Sequence, residues 1–299
     1  MNGLLIIDKP AGLTSHDVVN RVRRILHEKS VGHLGTLDPL ATGVLPLVIG
    51  NLTRLAQFYT SSEKTYEGTI RFGFSTDTYD AQGDPTSAPQ PVKLAWDQMR
   101  EIASRFQGVI EQTPPPFSAK KIAGVPAYKL ARNHKEVVLK PVQVEIKEFE
   151  ILTVDNDRAS FRARVASGTY MRSVAHEMGQ QLSCGAHLES LRRTAVAEFT
   201  LEDAHTLENL QAAMQAGQTE DQFIHPRKIL PQFPCVTANS EMAALIRTGR
   251  PVNLPELSQA RQVKVFVGQR ELIAIASRVA GTLFHPRIVL VGQAVPANR

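Results

Sequence analysis

A chain of 299 residues is long for one compact unit, so a main domain with a smaller second one is expected. Its 34 basic and 29 acidic residues leave a net charge of only +5, which suits a polyanionic partner only if the surplus is concentrated. Two cysteines, Cys184 and Cys235, speak against a disulfide framework and a zinc knuckle; with no stretch near the roughly 18 apolar residues of a membrane span, a cytoplasmic protein is expected.

Leu4 to Ile7 is a short apolar run closed by Asp8, Pro10 and Gly12, as in a buried strand entering a turn. Thr14 or Ser15 is then placed to cap a helix. Its Val18, Val22 and Ile25 recur at helical spacing, with Arg21, Arg24 and Glu28 largely elsewhere on the surface. Between residues 20 and 33, Arg21, Arg23, Arg24 and Lys29 face the lone acid Glu28, so this helix offers arginines to phosphates or is an ordinary solvated face. The next stretch, VGHLGTLDPLATGVLP, sets one carboxylate, Asp38, before Pro39 and between Gly35 and Gly43. Such a turn is rigid, and its glycines permit backbone conformations closed to other residues. Read alone, Asp38 is a turn aspartate accepting backbone hydrogen bonds.

From Thr65 the pattern changes to period two. Tyr66, Ile70, Phe72 and Phe74 share one face, and Thr65, Glu67, Thr69 and Arg71 the other, which makes Tyr66 a core tyrosine by pattern. Residues 79 to 93, rich in Asp, Gly, Pro and Ser, read as a loop. Trp96, Met99, Ile102 and Phe106 describe a helix with Gly108 just past its end. Thr113-Pro114-Pro115-Pro116 is a stiff lead into segment 117 to 140, where Lys120, Lys121, Lys129, Arg132, Lys135 and Lys140 oppose Glu136 alone. That segment is either a clamp ordered by its ligand or a plain surface excursion. Phe161, Ala163 and Val165 alternate with Arg162 and Arg164 as a half-buried strand. Gly168 then turns the chain into a helix carrying Val174, Ala175, Met178 and Leu182. Arg172, near the start of that helix, opposes its dipole; either a carboxylate partner such as Asp38 offsets this, or it is a surface arginine with a penalty of a few tenths of a kcal/mol. Beyond a polar, Gln-rich stretch near 211 to 222 and a Pro-punctuated run at 226 to 234, Gln262 to Val267, Leu272 to Ala276 and Ile288 to Val291 read as short strands.

Several of these stretches carry a resemblance to a known family. The catalytic-loop stretch around Asp38, with GLLIIDKPAGLTSHDVV, KTYEGTIRFGFSTDTYDAQG, SGTYMRSVAHEMGQQL and CGAHLESLRRTAVAEF in this order, is similar to the pseudouridine synthases. Within them it resembles the branch that modifies the position-55 uridine in the TΨC loop of tRNA. The resemblance implies an α+β catalytic domain over residues 1–230, built on a mixed, largely antiparallel sheet. A thumb insertion at about 112–142 and a small PUA-like, RNA-binding β domain over 235–299 complete the expectation. It implies isomerisation of uridine to pseudouridine, which breaks the bond from N1 to C1′ and rejoins the base through C5. This chemistry is redox-neutral, so no cofactor and no metal are expected, in keeping with the lack of a dinucleotide or phosphate-loop motif.

The same resemblance assigns the residues. Asp38 becomes the catalytic carboxylate, charged at neutral pH, acting by attack at C1′, addition at C6 or removal of the 2′ proton. Tyr66 stacks on the flipped uracil, Tyr170 and Leu191 border it, Arg172 pairs with Asp38, and His33 helps hold the everted loop nucleotide. Arg21, Arg24, Lys120, Lys121, Lys129 and Arg132 are expected at RNA phosphates, whereas Lys9 and Arg193 are weaker candidates for structural or phosphate contacts. The expected partner is the tRNA TΨC stem-loop, bound by a monomer without membrane or guide RNA. The alternative is an RNA-binding or RNA-folding chaperone with a vestigial catalytic loop.

Overall fold

The computed structural model describes residues 1–118, 120–122, 124–133 and 139–290, without the side chains of Lys121, Pro126, Tyr128 and Arg132. Lys121 and Arg132 as RNA contacts, Lys135 in the basic segment and Val291 at the end of a predicted strand therefore lie outside the described atoms.

The larger sheet is built from β1 (Gly3–Lys9), β2 (Val31–His33), β3 (Thr42–Ile49), β4 (Lys64–Phe72) and β5 (Gly108–Gln112), with a small separate hairpin of β6 (Lys121–Ile122) and β7 (Val125–Pro126) in the basic segment. Strands β8 (Val142–Asp155), β9 (Arg158–Val165), β10 (Ala186–Val196), β11 (Phe199–Thr200) and β12 (Ala204–His205) complete it. The order is β12-β1-β3-β10-β4-β9-β8-β5, with β2 on β3 and β11 on β10 off that path. Only β1 with β12 and β3 with β10 run parallel. The architecture is α+β on a mixed, largely antiparallel sheet.

β1 is apolar on both faces because both are covered. Leu5 and Ile7 pack with Val18, Val19, Val22 and Leu26 of helix α1 (Ser15–Leu26), while Leu4 and Ile6 pack with Val44, Val48, Leu55 and Tyr59. α1 starts at a reciprocal cap: Thr14 Oγ1 accepts from the Asp17 N–H at 3.0 Å, and Asp17 Oδ2 accepts from the Thr14 N–H at 2.9 Å. The other half of the sheet is covered by α2 (Trp96–Arg105) and α4 (Met171–Gln181), whose Met99, Ile102, Val174 and Met178 meet Tyr66, Ile70, Phe72 and Phe161. Trp96 departs from the expected stripe. It opens α2 at 43% exposure, since the buried face begins one turn later at Met99. α3 (Ala127–Arg132) follows the small hairpin. The stretch read as polar and Gln-rich holds α5 (Leu207–Gln215), whose two buried leucines, Leu207 and Leu210, suffice to seat it against α1.

Strands β13 (Cys235–Thr237), β14 (Val252–Asn253), β15 (Gln262–Val267), β16 (Glu271–Ala280) and β17 (Leu283–Val289) form a second, five-stranded sheet in the order β13-β15-β16-β17-β14, flanked by α6 (Ser240–Arg247). This β domain is docked, not tethered: Phe266, Leu272, Ile275 and Ile288 share one apolar cluster with Leu4, Ile6, Leu55 and Tyr59. Buried Lys264 fastens the connecting run by donating to the Arg227 and Ile229 carbonyls at 2.9 and 2.6 Å. Among the described residues no helix is long and apolar enough to cross a membrane.

Gly43 marks where the sheet is tightest. Its φ is +102°, and a Cβ there would stand 2.2 Å from the Arg193 carbonyl oxygen of the neighbouring strand. Gly43→Ala is expected to cost about 3 kcal/mol, read as a lower urea midpoint at unchanged slope, because backbone strain adds to a clash that no side-chain movement relieves.

Candidate active site

The loop from Leu34 to Ala41 joins β2 to β3 and projects Asp38 at the edge of the sheet. Its position is set by hydrogen bonds to its backbone. Ser15 Oγ accepts from the Leu37 N–H at 2.8 Å and donates to the Leu37 carbonyl at 3.0 Å, so the first residue of α1 anchors the loop. Pro39 O accepts from the Gly12 N–H at 2.8 Å. Two fully buried cations complete the clamp. Lys9 Nζ donates to the carbonyls of Pro10, Leu13 and Pro39 at 2.8, 2.7 and 3.3 Å. Arg193 donates to those of Val44, Thr36 and Gly35 at 2.8, 3.2 and 3.1 Å. Neither cation reaches solvent, so of the two roles open to them the structure supports the structural one: charge-assisted bonds that hold the turn. Burial pulls the Lys9 ammonium down to about 8 from its usual 10.5, with the Asp38 charge acting in the opposite sense.

Arg172 sits one residue into α4 and is 5% exposed. Its guanidinium spans three segments of chain. Nε lies 2.9 Å from Asp38 Oδ2, Nη1 donates to the Thr78 carbonyl at 3.1 Å, and Nη2 donates to the Phe117 carbonyl at 3.0 Å. The Asp38 contact is a close ion pair rather than an aligned hydrogen bond. A second carboxylate, Asp80, stands 3.8 Å from Nη1. Asp80 is itself buried, and its Oδ1 accepts from Thr78 Oγ1 and the Gln82 N–H at 2.7 and 3.0 Å. The helix-opening cation therefore meets two negative charges and two carbonyl dipoles, which outweigh the unfavourable helix dipole of a few tenths of a kcal/mol up to about 1. Asp38 remains open on its far side, with 37% of its side chain exposed.

That open side faces a hollow of about 240 Å³ whose lining includes Asp38, Lys64, Tyr66, Tyr170, Arg172 and Leu191. The volume lies below the roughly 300–1,000 Å³ of drug-sized sites and suits a single base. Tyr66 comes from β4 and Leu191 from β10, neighbours in the sheet, and both are nearly buried. Tyr170 precedes α4, where the fully buried Gln112 holds its backbone on both sides: Oε1 accepts from the Tyr170 N–H at 2.8 Å, and Nε2 donates to the Tyr170 carbonyl at 3.2 Å. Burial pushes the Tyr170 hydroxyl pKa up.

The structure thus brings Asp38, Tyr66, Tyr170, Arg172 and Leu191 together around one hollow. His33 does not line it. It ends β2, half-buried, and burial with the nearby Arg193 charge lowers its pKa, which keeps the imidazole neutral. Arg21 and Arg24 are exposed on α1, at a separate groove of about 580 Å³ between α1 and α5. Lys120 and Lys129 are exposed in the basic segment, whose base is tied to the hollow by the Arg172 bond to Phe117.

Asp80, Gln112 and Lys64 escaped the reading of the sequence. Asp80 is hidden in a turn-like composition that reads as loop. For Lys9 and Arg193 a usable signal exists: Lys9 continues the face of Leu5 and Ile7, and Arg193 that of Leu191, so strand parity alone puts both cations inward.

The mixed sheet with its appended β domain has the pseudouridine synthase fold. In structure the chain is similar to the protein in a crystal structure of a Cbf5-Nop10-Gar1 complex (TM-score 0.71, 25% identity, 97% of this chain and 85% of that one). It is likewise similar in fold to a chain of an H/ACA RNP bound to a substrate RNA containing 2′-deoxyuridine (TM-score 0.70, 23% identity, with the same coverage). Residues 23–171 match the TruB family pseudouridylate synthase N-terminal domain, and residues 172–231 match the tRNA pseudouridylate synthase B C-terminal domain. With these matches and curated relatives along nearly its whole length, the chain belongs to the TruB family of pseudouridylate synthases. It is 49% identical to the tRNA pseudouridine synthase B of Solibacter usitatus over 97% of this chain and all of that one. It is 38% identical to those of Geobacter sulfurreducens and Aquifex aeolicus, over 94% and 97% of this chain and 95% and 100% of theirs. The chain is an isomerase of the tRNA-modifying kind.

Proposed function

We propose that this enzyme isomerises the uridine at position 55, in the TΨC loop of tRNA, with Asp38 as the acting carboxylate. The observation that carries the reading is the ion pair of Asp38 with Arg172 on the wall of a hollow of base size, the acid's second side left open toward two tyrosines. The reaction breaks N1–C1′, forms C5–C1′, returns a proton to N1 and expels the C5 proton. An ionised carboxylate at the reacting sugar or base serves it, and Arg172 keeps that charge aimed. Eversion of the nucleotide costs a few kcal/mol, which stacking on Tyr66 and contacts with Tyr170 and Leu191 offset. His33, which ends β2 just before the loop that carries Asp38, offers a flat face to the everted loop nucleotide.

In this reading the basic excursion over about 112–142 is a thumb that closes on the hairpin, and the C-terminal β domain is a PUA-like module that contacts the rest of the tRNA. The catalytic domain then spans residues 1–230 and the β domain 235–299. The enzyme acts as a monomer without a guide RNA. Exposed Arg21, Arg24, Lys120 and Lys129 meet phosphates. Replacing any one of them by Ala is expected to lower the slope of log affinity against log salt by about 1, the share of a single neutralised phosphate.

Release of tritium from C5-labelled uridine in a TΨC hairpin tests the assignment, since isomerisation leaves mass unchanged and must expel that hydrogen. Release is expected from the natural hairpin and not from one labelled only outside position 55. Soluble, folded protein that frees none from the intact hairpin would defeat the reading.

A further inference from the structure

One cation lining the hollow has no counter-charge among the described residues. Lys64 opens β4 two residues before Tyr66, on the same side of the strand, so its side chain enters the hollow where Tyr66 does. Its Cε passes 3.8 Å from the point a Cβ on Gly35 would occupy, which sets it against the loop that carries Asp38. The ammonium donates to the Ser62 carbonyl at 2.6 Å, and among the described residues no carboxylate stands within ion-pair distance of it. The charge it does feel is a second cation, Arg193; together with burial this brings Lys64 down to about 8 from 10.5.

Lys9 is the contrasting case, sealed from solvent and spending its three donors on three carbonyls. Lys64 is half-buried, lines the hollow, and among the described residues its ammonium has a single carbonyl partner, which leaves donors for a ligand. A partly desolvated charge next to a like charge costs stability unless an anion arrives. The everted nucleotide brings one, because its base cannot enter the hollow without drawing its own backbone to the rim.

We propose that Lys64 binds the phosphodiester adjoining the flipped uridine and so fixes the sugar against Asp38; this rests on the reading of the hollow as the uridine site. The phosphate supplies the missing counter-charge and the ammonium gains a charge-assisted bond. Phosphate binds the protonated amine, so it raises the Lys64 pKa above its free value of about 8. Affinity is therefore flat below pH 8 and falls as pH rises beyond it.

The test is single-turnover tritium release, giving apparent affinity and rate, for the parent enzyme, Lys64→Gln and Lys64→Arg. Substrates are the natural TΨC hairpin and two hairpins with a neutral methylphosphonate at the phosphate 5′ or 3′ of the target uridine. Lys64→Gln is expected to weaken the natural hairpin about tenfold to a hundredfold, and one of the methylphosphonates to weaken the parent comparably. The two changes together are expected to cost no more than either alone, with Lys64→Arg retaining most of the affinity. Should Lys64→Gln fold poorly, the parent alone decides: the correct methylphosphonate abolishes the fall in affinity above pH 8. Additive penalties at both phosphates, or the same pH profile for natural and neutral backbones, overturn the proposal. Failure of the parent to release tritium from the natural hairpin would instead reject the uridine-site reading beneath it.

Discussion

Asp38→Asn is expected to abolish tritium release, a loss of about 10⁴-fold or more, while tRNA affinity stays within about twofold of the parent. The substitution keeps the side chain's shape and removes the charge on which the proposed reaction depends. It also leaves the fold in place. Arg172 retains the Thr78 and Phe117 carbonyls and the Asp80 charge, and Asp38 is half open to solvent, so the change in stability should stay within about 1 kcal/mol. Filter binding beside the release assay checks both halves. An RNA chaperone with a vestigial loop would give no release in the parent either, which separates that alternative from the enzyme.

Arg172→Met is expected to damage stability and rate together. The guanidinium joins the Asp38 loop, the turn at Thr78–Asp80 and the base of the basic segment, and its removal strands two carboxylates and two carbonyls. Asp80 is the worst affected because it is buried. Breaking such a pair from one side costs about 3–5 kcal/mol. The rate should fall about 10²- to 10³-fold, since Asp38 keeps its charge and loses its aim. Lys at this position is not expected to rescue, because the Asp38, Thr78 and Phe117 acceptors are arranged around a planar guanidinium fork whose geometry a compact ammonium does not reproduce. Urea melts and single-turnover rates measure the two losses separately. Asp80→Asn should be milder on both counts, because the aspartate sits 3.8 Å from Nη1 and its bonds to Thr78 and Gln82 survive as an amide's.

These expectations differ in how far residue order alone supports them. Local periodicity reports which face of one element is buried, and there the reading of the sequence agrees with the structure. The β1 run, the Thr14 cap of α1, the alternation through Tyr66 and that of Phe161, Ala163 and Val165 are local patterns. The motif order from Gly3 to Phe199 likewise determined the family and the site's candidate residues. What periodicity does not carry is which polar groups meet across the fold. Arg193 meets the Gly35 carbonyl, 158 residues away, because β10 lies beside β3, and Arg172 at the start of α4 meets the Phe117 carbonyl, 55 residues away. Composition misleads for the same reason. The turn-like stretch around Asp80 folds its acid into the interior, α5 is held by two leucines in a polar frame, and Trp96 faces water on a helix whose apolar side starts later. Residue order by itself supplied most of the elements, the family and a candidate for the acid. Only the tertiary structure decided which cations are sealed as clamps and that Lys64 lines the hollow without an anion among the described residues, because burial and charge pairing belong to the assembled sheet and not to any one of its strands.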